Sequence, residues 1–285
     1  MKRPKILLQS TMIRAGIKPG TGHMARFEKI ASPSNPLLKQ VRKAVQRGGL
    51  TSGGYCIAET FHLVVEALRS GCRVEAVLVA YSALQQMRRM VPLPDSVRVL
   101  ALPDGLFASI AATESSQGVM ALVHPRVWTM ETILSRHLPV LILDGVQDPG
   151  NAGAIVRASE AFGAAGVVFL KGTANPFNPK AVRASAGSVF RLPLVCGVAV
   201  EEALAQLQRH EYRIYAACPD ADLSLEAADM DNGCAVVIGS EGRGVSDAWR
   251  AAGSAIRIPM TNVESLNAAI AAAIFLYEAS RRRTT

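Results

Sequence analysis

The chain has 285 residues, a formal net charge of +8, and 49% hydrophobic residues that form no run long enough to cross a membrane as a helix. This composition excludes a helical membrane protein, supplies enough apolar side chains for packed cores, and suits two domains of ordinary size. The charge is uneven, with a net +5 in residues 1–23, +4 in 24–125 and −1 in 126–285, so a surface that binds a polyanion is expected in the first half.

Residues 1–23 hold no acidic side chain and are expected to be a disordered basic tail. Residues 24–125 are predicted to form a small α/β domain. Its predicted elements, in chain order, are helix 35–46, helix 59–70, strand 74–80, strand 97–102, a short helix beginning within 103–109, and strand 119–123. Residues 125–130 are predicted to link this domain to the next.

In residues 126–285 predicted strands and helices alternate. The predicted elements are strand 140–143, helix 152–162, strand 167–170, a helix near 179–186, helix 200–208, strand 213–217, strand 235–238, helix 245–251, strand 255–258 and helix 266–282. This alternation predicts a parallel sheet covered by helices on both faces. Ligands bind at the turns that follow the strands of such sheets, so polar or glycine-rich turns after strands are the candidate binding segments.

The chain has five cysteines, an odd number, and no pair has C-x-x-C spacing. They predict neither a disulfide framework nor a zinc site, and no metal is expected. We expect them to be buried free thiols in a reducing cytoplasm.

The first candidate segment is DPGNAGAIVRASEAFGA, residues 148–164. Asn151 is a good helix N-cap, and Arg157 and Glu160 share a helix face, so capping and a surface ion pair explain all three residues. Alternatively, Arg157 lies in a pocket, where its fixed fork of donors suits phosphate or ribose oxygens. On this segment alone the structural explanation is favoured.

The second candidate segment, VVIGSEGRGVSD, residues 236–247, has glycines at 239, 242 and 244 after a predicted strand. Glycines let backbone N–H groups approach a ligand closely. The segment is neither a Walker loop nor a dinucleotide fingerprint. Because the Glu241 carboxylate would repel a phosphate, a neutral or cationic ligand fits better, although a tight turn with a solvated Glu241 is about equally favoured.

The third candidate segment, residues 258–278, joins Ile258-Pro-Met260 through a polar loop to a helix that opens at Ser265-Leu-Asn267. Ser265 is a possible cap of this helix. The helix is rich in alanine and apolar residues, as expected for a core element or a subunit interface. Three arginines at its end complement the helix dipole.

In order and position, these three segments resemble the three motifs of the SpoU (TrmH-like) branch of the SPOUT RNA methyltransferases. The resemblance covers residues 140–282 and includes the segment 178–187, and residues 26–123 are similar to the small substrate-binding domain of the family. It implies a C-terminal parallel-sheet α/β domain with a deep trefoil knot (residues 126–285), preceded by a small α/β ribosomal-protein-like RNA-binding domain (residues 24–125). It also implies a homodimer formed through the catalytic domain.

The resemblance implies S-adenosyl-L-methionine as the cofactor. The matching cofactor-binding positions are Gly239, Ser240, Glu241, Gly242, Ile258, Met260, Leu266 and Asn267. The matching catalytic positions are Arg157, Asn151, Glu241, Ser265 and Asn267. Arg157 is expected at the acceptor hydroxyl, where a guanidinium is a poor base and instead orients the ribose and stabilises developing alkoxide charge. Glu241 is expected to hold Arg157 by an ion pair, and Asn267 to orient the cofactor or a loop.

The implied reaction transfers a methyl group to a ribose 2′-hydroxyl of RNA, which excludes DNA. Ribosomal RNA is favoured as the substrate, and transfer RNA remains open. Base methylation, an inactive RNA-binding protein and, less favoured, a nucleotide-dependent dehydrogenase are the competing hypotheses. Two departures from the family pattern stand out: the loop 261–263 lacks glycine, and Thr60 follows Glu59 where the family often has Glu-Gly.

Overall fold

The computed structural model describes residues 27–230 and 233–283, so the basic tail predicted for residues 1–23 lies outside the described residues. The described chain forms two sheets, each packed against helices. None of the described helices is both long and apolar enough to span a membrane.

The first sheet contains five strands within the described residues, in the order β1-β4-β3-β5-β2. The strands are β1 (Phe27–Lys29), β2 (Cys56–Glu59), β3 (Arg73–Ala80), β4 (Arg98–Leu102) and β5 (Val119–His124). β1, β4 and β3 run parallel, whereas β5 pairs antiparallel with both β3 and β2. The helices of this half are α1 (Pro36–Arg47), α2 (Phe61–Arg69), α3 (Leu84–Met90) and α4 (Asp104–Ala108).

α1 begins and ends where local chemistry requires. The Asn35 side chain accepts hydrogen bonds from the N–H groups of Leu37 and Leu38, and Pro36 occupies the first helical position. Gly48, with φ 67°, ends the helix in the left-handed conformation that favours glycine. One face of α1 is buried in the core through Leu38, Val41 and Ala44.

The second sheet contains seven strands among the described residues, all parallel, in the order β10-β12-β9-β11-β6-β7-β8. The strands are β6 (Val140–Asp144), β7 (Gly166–Leu170), β8 (Leu194–Val198), β9 (Arg213–Ala217), β10 (Leu223–Ser224), β11 (Cys234–Gly239) and β12 (Ser254–Arg257). The helices are α5 (Met130–Leu134), α6 (Pro149–Ala161), α7 (Pro179–Ala184), α8 (Val200–Arg209), α9 (Asp247–Ala252) and α10 (Ala268–Arg283). Because all strands are parallel, their carboxyl ends lie at one edge of the sheet.

The two halves share a core. One continuous cluster of buried side chains extends from α1 and β3 into β6, α6 and α10. At its border Arg191 donates to Glu66 of α2 at 2.5 Å and to Glu160 of α6 at 2.6 Å. Separating the halves would therefore expose apolar surface and break an ion-pair network, so point substitutions test their roles better than truncation.

The predicted fold class is confirmed, with a parallel-sheet α/β half preceded by a smaller α/β half. The trefoil knot stays a prediction. The predicted helix 59–70 starts too early, because Glu59 ends β2 and Thr60 caps α2. Burial of the cysteines was predicted wrongly for Cys196, which is exposed because β8 lies at the sheet edge.

Candidate functional site

A cavity of about 490 Å³ opens at the carboxyl edge of the second sheet. It lies beyond the ends of β9, β11 and β12 and against the start of α10. Ser265, predicted as catalytic, lines it, as do seven of the eight predicted cofactor-binding residues: Gly239, Ser240, Glu241, Ile258, Met260, Leu266 and Asn267. Gly242, the eighth, is not among the lining residues.

The turn after β11 explains two of the three glycines in the second segment. Ser240 and Gly244 exchange backbone hydrogen bonds of 3.1 and 2.9 Å, and Gly244 has φ +67°. A Cβ on Gly239 would run into the backbone of Gly244, whereas a Cβ on Gly242 would meet open space. Gly239 and Gly244 are therefore required by the turn itself, and Gly242 is not required on steric grounds.

A polar network joins the three segments. The Asn151 amide donates to Glu241 Oε1 at 2.6 Å, and the Asn267 amide donates to Asn151 Oδ1 at 3.0 Å. Asn267 Oδ1 also accepts from the N–H groups of Ala269 and Ile270, and so caps α10. Asn151 thus holds Glu241 and the start of α10 in fixed positions at the mouth of the cavity.

The capping role that the sequence offered as an alternative for Asn151 and Ser265 belongs to other residues. Asp148, not Asn151, caps α6, because its side chain accepts from the Gly150 N–H. Asn267, not Ser265, caps α10. Asn151 instead joins the polar network, and Ser265 lines the cavity.

Asp148 also forms an ion pair with Lys180 of α7 at 2.5 Å. The hydrogen bond from Lys180, together with the Gly150 N–H, lowers the pKa of the Asp148 carboxyl below its ordinary value. This pair fixes the start of α6 against α7 beside the site.

Arg157 lies outside the cavity lining of its own chain. Its side chain is exposed and forms no hydrogen bond or ion pair with any described residue. The predicted ion pair with Glu241 is not formed, because Arg157 lies more than one turn beyond Asn151 on α6 and Glu241 binds Asn151 instead. Its charge therefore remains unneutralised.

Glu160, the other predicted partner of Arg157, binds Arg191 instead. The hydrogen bond from Arg191 lowers the pKa of Glu160, and the same bond raises the pKa of Arg191. The ion pair expected between Arg157 and Glu160 within α6 is therefore not formed. Glu160 instead takes part in the ion-pair network around Arg191 that links the two halves.

The lining of the cavity suits a partly apolar ligand that carries a positive charge. Ile238, Ile256 and Phe275 supply apolar walls, and backbone groups of the glycine turn supply polar contacts. Glu241 is the sole carboxylate lining the cavity in the part of the chain described here. Sequence reasoning missed the wall formed by Ala217, Cys218 and Pro219, although Ala217 ends the predicted strand 213–217, the next two residues follow it, and all three obey the same strand-end rule.

The departure at Thr60 has a physical explanation. Thr60 has φ 129°, a conformation that favours glycine, while its hydroxyl accepts from the Leu63 N–H and caps α2. The preceding Glu59 is buried and accepts from the Ala112 N–H and the Thr113 hydroxyl. Threonine at this position has a more strained backbone than glycine would have, but its hydroxyl caps α2, which glycine could not do.

Two family models match the chain. The SpoU rRNA Methylase family matches residues 139–277, and the MRM3-like substrate binding domain matches residues 35–121. The first match spans the cavity and the polar network, and the second spans most of the first sheet.

Similar proteins cover nearly the whole chain. An uncharacterized tRNA/rRNA methyltransferase of Synechocystis sp. is 31% identical over 89% of this chain and 94% of its own length. The 23S rRNA (guanosine(2553)-2′-O)-methyltransferase RlmP of Bacillus subtilis is 30% identical over 88% of this chain and 98% of its own. The AdoMet-bound crystal structure of an rRNA methyltransferase from Sinorhizobium meliloti is 26% identical, with a TM-score of 0.76 over 90% of this chain and 98% of that one.

Proposed function

Because the chain belongs to the SpoU rRNA methylase family, we propose that it transfers a methyl group from S-adenosylmethionine to a ribose 2′-hydroxyl of ribosomal RNA. The observation that carries this proposal is the Glu241–Asn151–Asn267 network, which draws three distant segments around one cavity. The relative from Bacillus subtilis, named for 2′-O-methylation of 23S rRNA, supports the reaction and the RNA class.

The residues at the cavity fit S-adenosylmethionine. A cavity of about 490 Å³ falls in the usual range for small-molecule sites. Ile256, Ile258 and Phe275 would pack against an adenine ring, and Gly239, which lines the cavity without a side chain, would let the backbone approach the ligand closely. The Glu241 carboxylate favours a cationic ligand. When bound, the sulfonium supplies an already activated methyl group, so the protein has no need to activate the donor.

The difficult half of the reaction concerns the acceptor, because a ribose hydroxyl is a weak acid. Asn151 and Asn267 hold the start of α6 and the start of α10 together, which fixes the approach to the cavity. Positioning of this kind removes several kcal/mol from a barrier. Arg157, with its exposed and unneutralised guanidinium, orients the RNA and stabilises negative charge that develops on the acceptor oxygen.

We further propose that two copies of the chain form the active unit. A groove of apolar side chains between α6 and α10 is open on the surface, with Ile270 53% and Tyr277 55% exposed. Its lining is Ala154, Ala158, Ala269, Ile270, Ala273, Ile274 and Tyr277. Arg157 lies on α6 between two of the lining residues, so a second copy seated on this groove would bring an arginine to the interface near the cavity.

The test uses tritiated S-adenosylmethionine with purified ribosomal RNA, and with transfer RNA in a parallel reaction. We expect label in ribosomal RNA, and loss of that label in Asn151→Ala, which removes the centre of the network. The Arg209→Ala variant, far from the cavity on α8, is the matched control and should retain full transfer. Binding of S-adenosylmethionine in calorimetry without transfer to either RNA would contradict the proposed reaction.

A further inference from the structure

The outer face of α1 carries a row of cations. Lys39, Lys43 and Arg47 are exposed and spaced four residues apart, so they lie along one side of the helix at intervals of about 6 Å. α1 contains no acidic residue, and none of these three side chains makes a hydrogen bond or an ion pair with any residue that the structure describes. We refer to these three residues as the α1 stripe.

Several other cations on the same half are neutralised by acids. Arg98 binds Glu28 at 2.8 Å, and Arg73 binds Glu75 at 2.9 Å. Three unneutralised cations in one row repel one another, with like charges one helical turn apart destabilising the helix by a few tenths of a kcal/mol per pair. Because no acidic residue of α1 offsets this repulsion, the row is suited to bind a polyanionic ligand.

The C-terminal end of α1 lies at the cavity edge of the second sheet. A Cβ on Gly48 would run into the Asn178 side chain, and one on Gly49 would lie 3.0 Å from the Asn175 amide. Both asparagines belong to the segment that follows β7. Asn178 caps α7, whose Lys180 binds Asp148 at the start of α6. The turn that ends α1, directly after Arg47, thus packs against a segment that is linked through α7 to the helix carrying Asn151 and Arg157.

We propose that the α1 stripe binds successive phosphates of a single RNA strand and leads that strand toward the cavity. This inference rests on the proposed function and adds the place where the RNA backbone is held. The buried face of α1 holds Leu38, Val41 and Ala44 in the core, so α1 has no free apolar face to insert into a membrane. The observations therefore favour RNA over an anionic lipid surface.

The experiment measures binding of a fluorescein-labelled single-stranded RNA of mixed sequence to the full chain over a series of NaCl concentrations. Each phosphate contact with a single strand contributes about 0.7 to the slope of log K against log salt. The triple variant Lys39→Gln, Lys43→Gln, Arg47→Gln should lower this slope by about 2 and weaken binding roughly 10- to 100-fold at low salt. A helix of glutamines is as favourable as one of lysines, so the variant should fold.

The matched control replaces three exposed cations elsewhere, Lys29→Gln, Arg89→Gln and Arg209→Gln, and changes the net charge equally. It should retain nearly the wild-type slope. If the control and stripe variants lose affinity equally, binding follows net charge alone and the proposal is overturned. Tighter binding of wild-type protein to phosphatidylserine vesicles than to RNA would also overturn it.

The outcome separates this inference from the proposed function. Calorimetric affinity for S-adenosylmethionine should be unchanged in the stripe variant, because the stripe lies outside the cavity. If wild-type protein methylates RNA and the stripe variant keeps its RNA affinity and salt slope, the stripe assignment alone fails. If wild-type protein shows no salt-dependent RNA binding, the assignment of an RNA substrate fails as well.

Discussion

The two sheets of this protein contribute in different ways. In the all-parallel second sheet, the carboxyl ends of β9, β11 and β12 meet at one edge and enclose the cavity. The mixed first sheet, in which β5 is antiparallel to its neighbours, gathers no comparable set of strand ends among the described residues. Its functional signal lies instead in the charge on the surface of α1. In this chain the parallel sheet thus holds the cavity, whereas the half with the mixed sheet offers a charged helix surface.

The contrast extends to the polar residues. In the second half, polar side chains such as Asn151 and Glu241 are paired with one another across long sequence separations. In the first half, the cations of the α1 stripe are left unpaired by the described residues. The paired groups at the cavity fix geometry, whereas the cations of the α1 stripe, like Arg157 in the second half, have no described partner and can attract a ligand of opposite sign. Substitutions can test this division, from the largest expected effect to the smallest.

The largest effect is expected from Arg157→Ala. If the second half carries the chemistry, loss of this guanidinium should reduce methyl transfer by about 10²- to 10³-fold, the usual range for removing one group that stabilises developing negative charge. Because Arg157 lies outside the cavity lining, affinity for S-adenosylmethionine should stay within a factor of two or so. Radiolabel transfer and calorimetry measure the two quantities. An equally large loss of affinity for S-adenosylmethionine would show that Arg157 helps to bind the cofactor, and would contradict its proposed role at the acceptor oxygen.

The next effect concerns the packing that sets α6 beside the cavity. A Cβ on Gly153 would run into the backbone carbonyl of Ala181 in α7, so Gly153→Ala should destabilise the fold by about 2–3 kcal/mol. Gly105→Ala is the matched control in a helix, because its Cβ would meet open space, and it should change stability by less than about 1 kcal/mol. Urea unfolding measures both. Equal effects would show that the close approach of α6 and α7 is unimportant.

A smaller effect is expected at the link between the halves. Arg191→Met leaves Glu66 and Glu160 without their shared partner and should lower the free energy of unfolding by about 1–2 kcal/mol near neutral pH. The pKa of Glu160 is lowered from its ordinary value of 4.5 by Arg191, so the stabilisation exists above that pH and is lost as the pH falls through the lowered pKa.

The stability difference between wild type and Arg191→Met should therefore shrink as the pH is taken below about 4.5. Denaturant unfolding at a series of pH values provides the measurement. A difference that stays constant down to strongly acidic pH would mean that Arg191 acts by packing rather than by its charge.

The smallest effect is expected at Thr60 in the first half. Thr60→Gly relieves the backbone strain at φ 129° and removes the cap on α2, two changes of about 1 kcal/mol with opposite sign. The net change in stability should lie within about 1 kcal/mol of zero. Thr60→Ala, which loses the cap and keeps the strain, should be less stable than Thr60→Gly. The reverse order would show that Thr60 is not strained.

Sequence reasoning reached much of the fold, because the strands and helices around the three segments follow clear hydrophobic periods. It placed the cap of α6 at Asn151, although Pro149 in the first helical position marks Asp148 as the cap. The elements that it missed, β1, β10, α3 and α5 among them, include the strands β8 and β2, which are short and lack an alternating pattern. The sequence around Pro149 contained the signal for the cap, and it was misread. The hydrophobic patterns of β2 and β8 were too weak to identify these segments as strands.

The candidate site was harder to predict from the sequence than the fold. Proximity of the three segments followed from strand ends meeting at one edge, and seven predicted cofactor-binding residues do line the cavity. Asn151 pairs with Glu241 across 90 residues of chain and with Asn267 across 116 residues. These pairings depend on how the three turns are positioned relative to one another in space, which no local sequence pattern encodes. For the same reason, the sequence did not indicate that Glu160 pairs with Arg191 rather than with Arg157. The catalytic roles stay predictions.

The most direct test of the central claim identifies the product. Ribosomal RNA is incubated with the protein and S-adenosylmethionine carrying a deuterated methyl group, then digested to nucleosides and analysed by mass spectrometry. We predict that the deuterated methyl group appears on a 2′-O-methylnucleoside, with the mass increase on the ribose fragment. A label on the base fragment, or no labelled nucleoside from a protein that binds both substrates, would contradict the proposed ribose methylation.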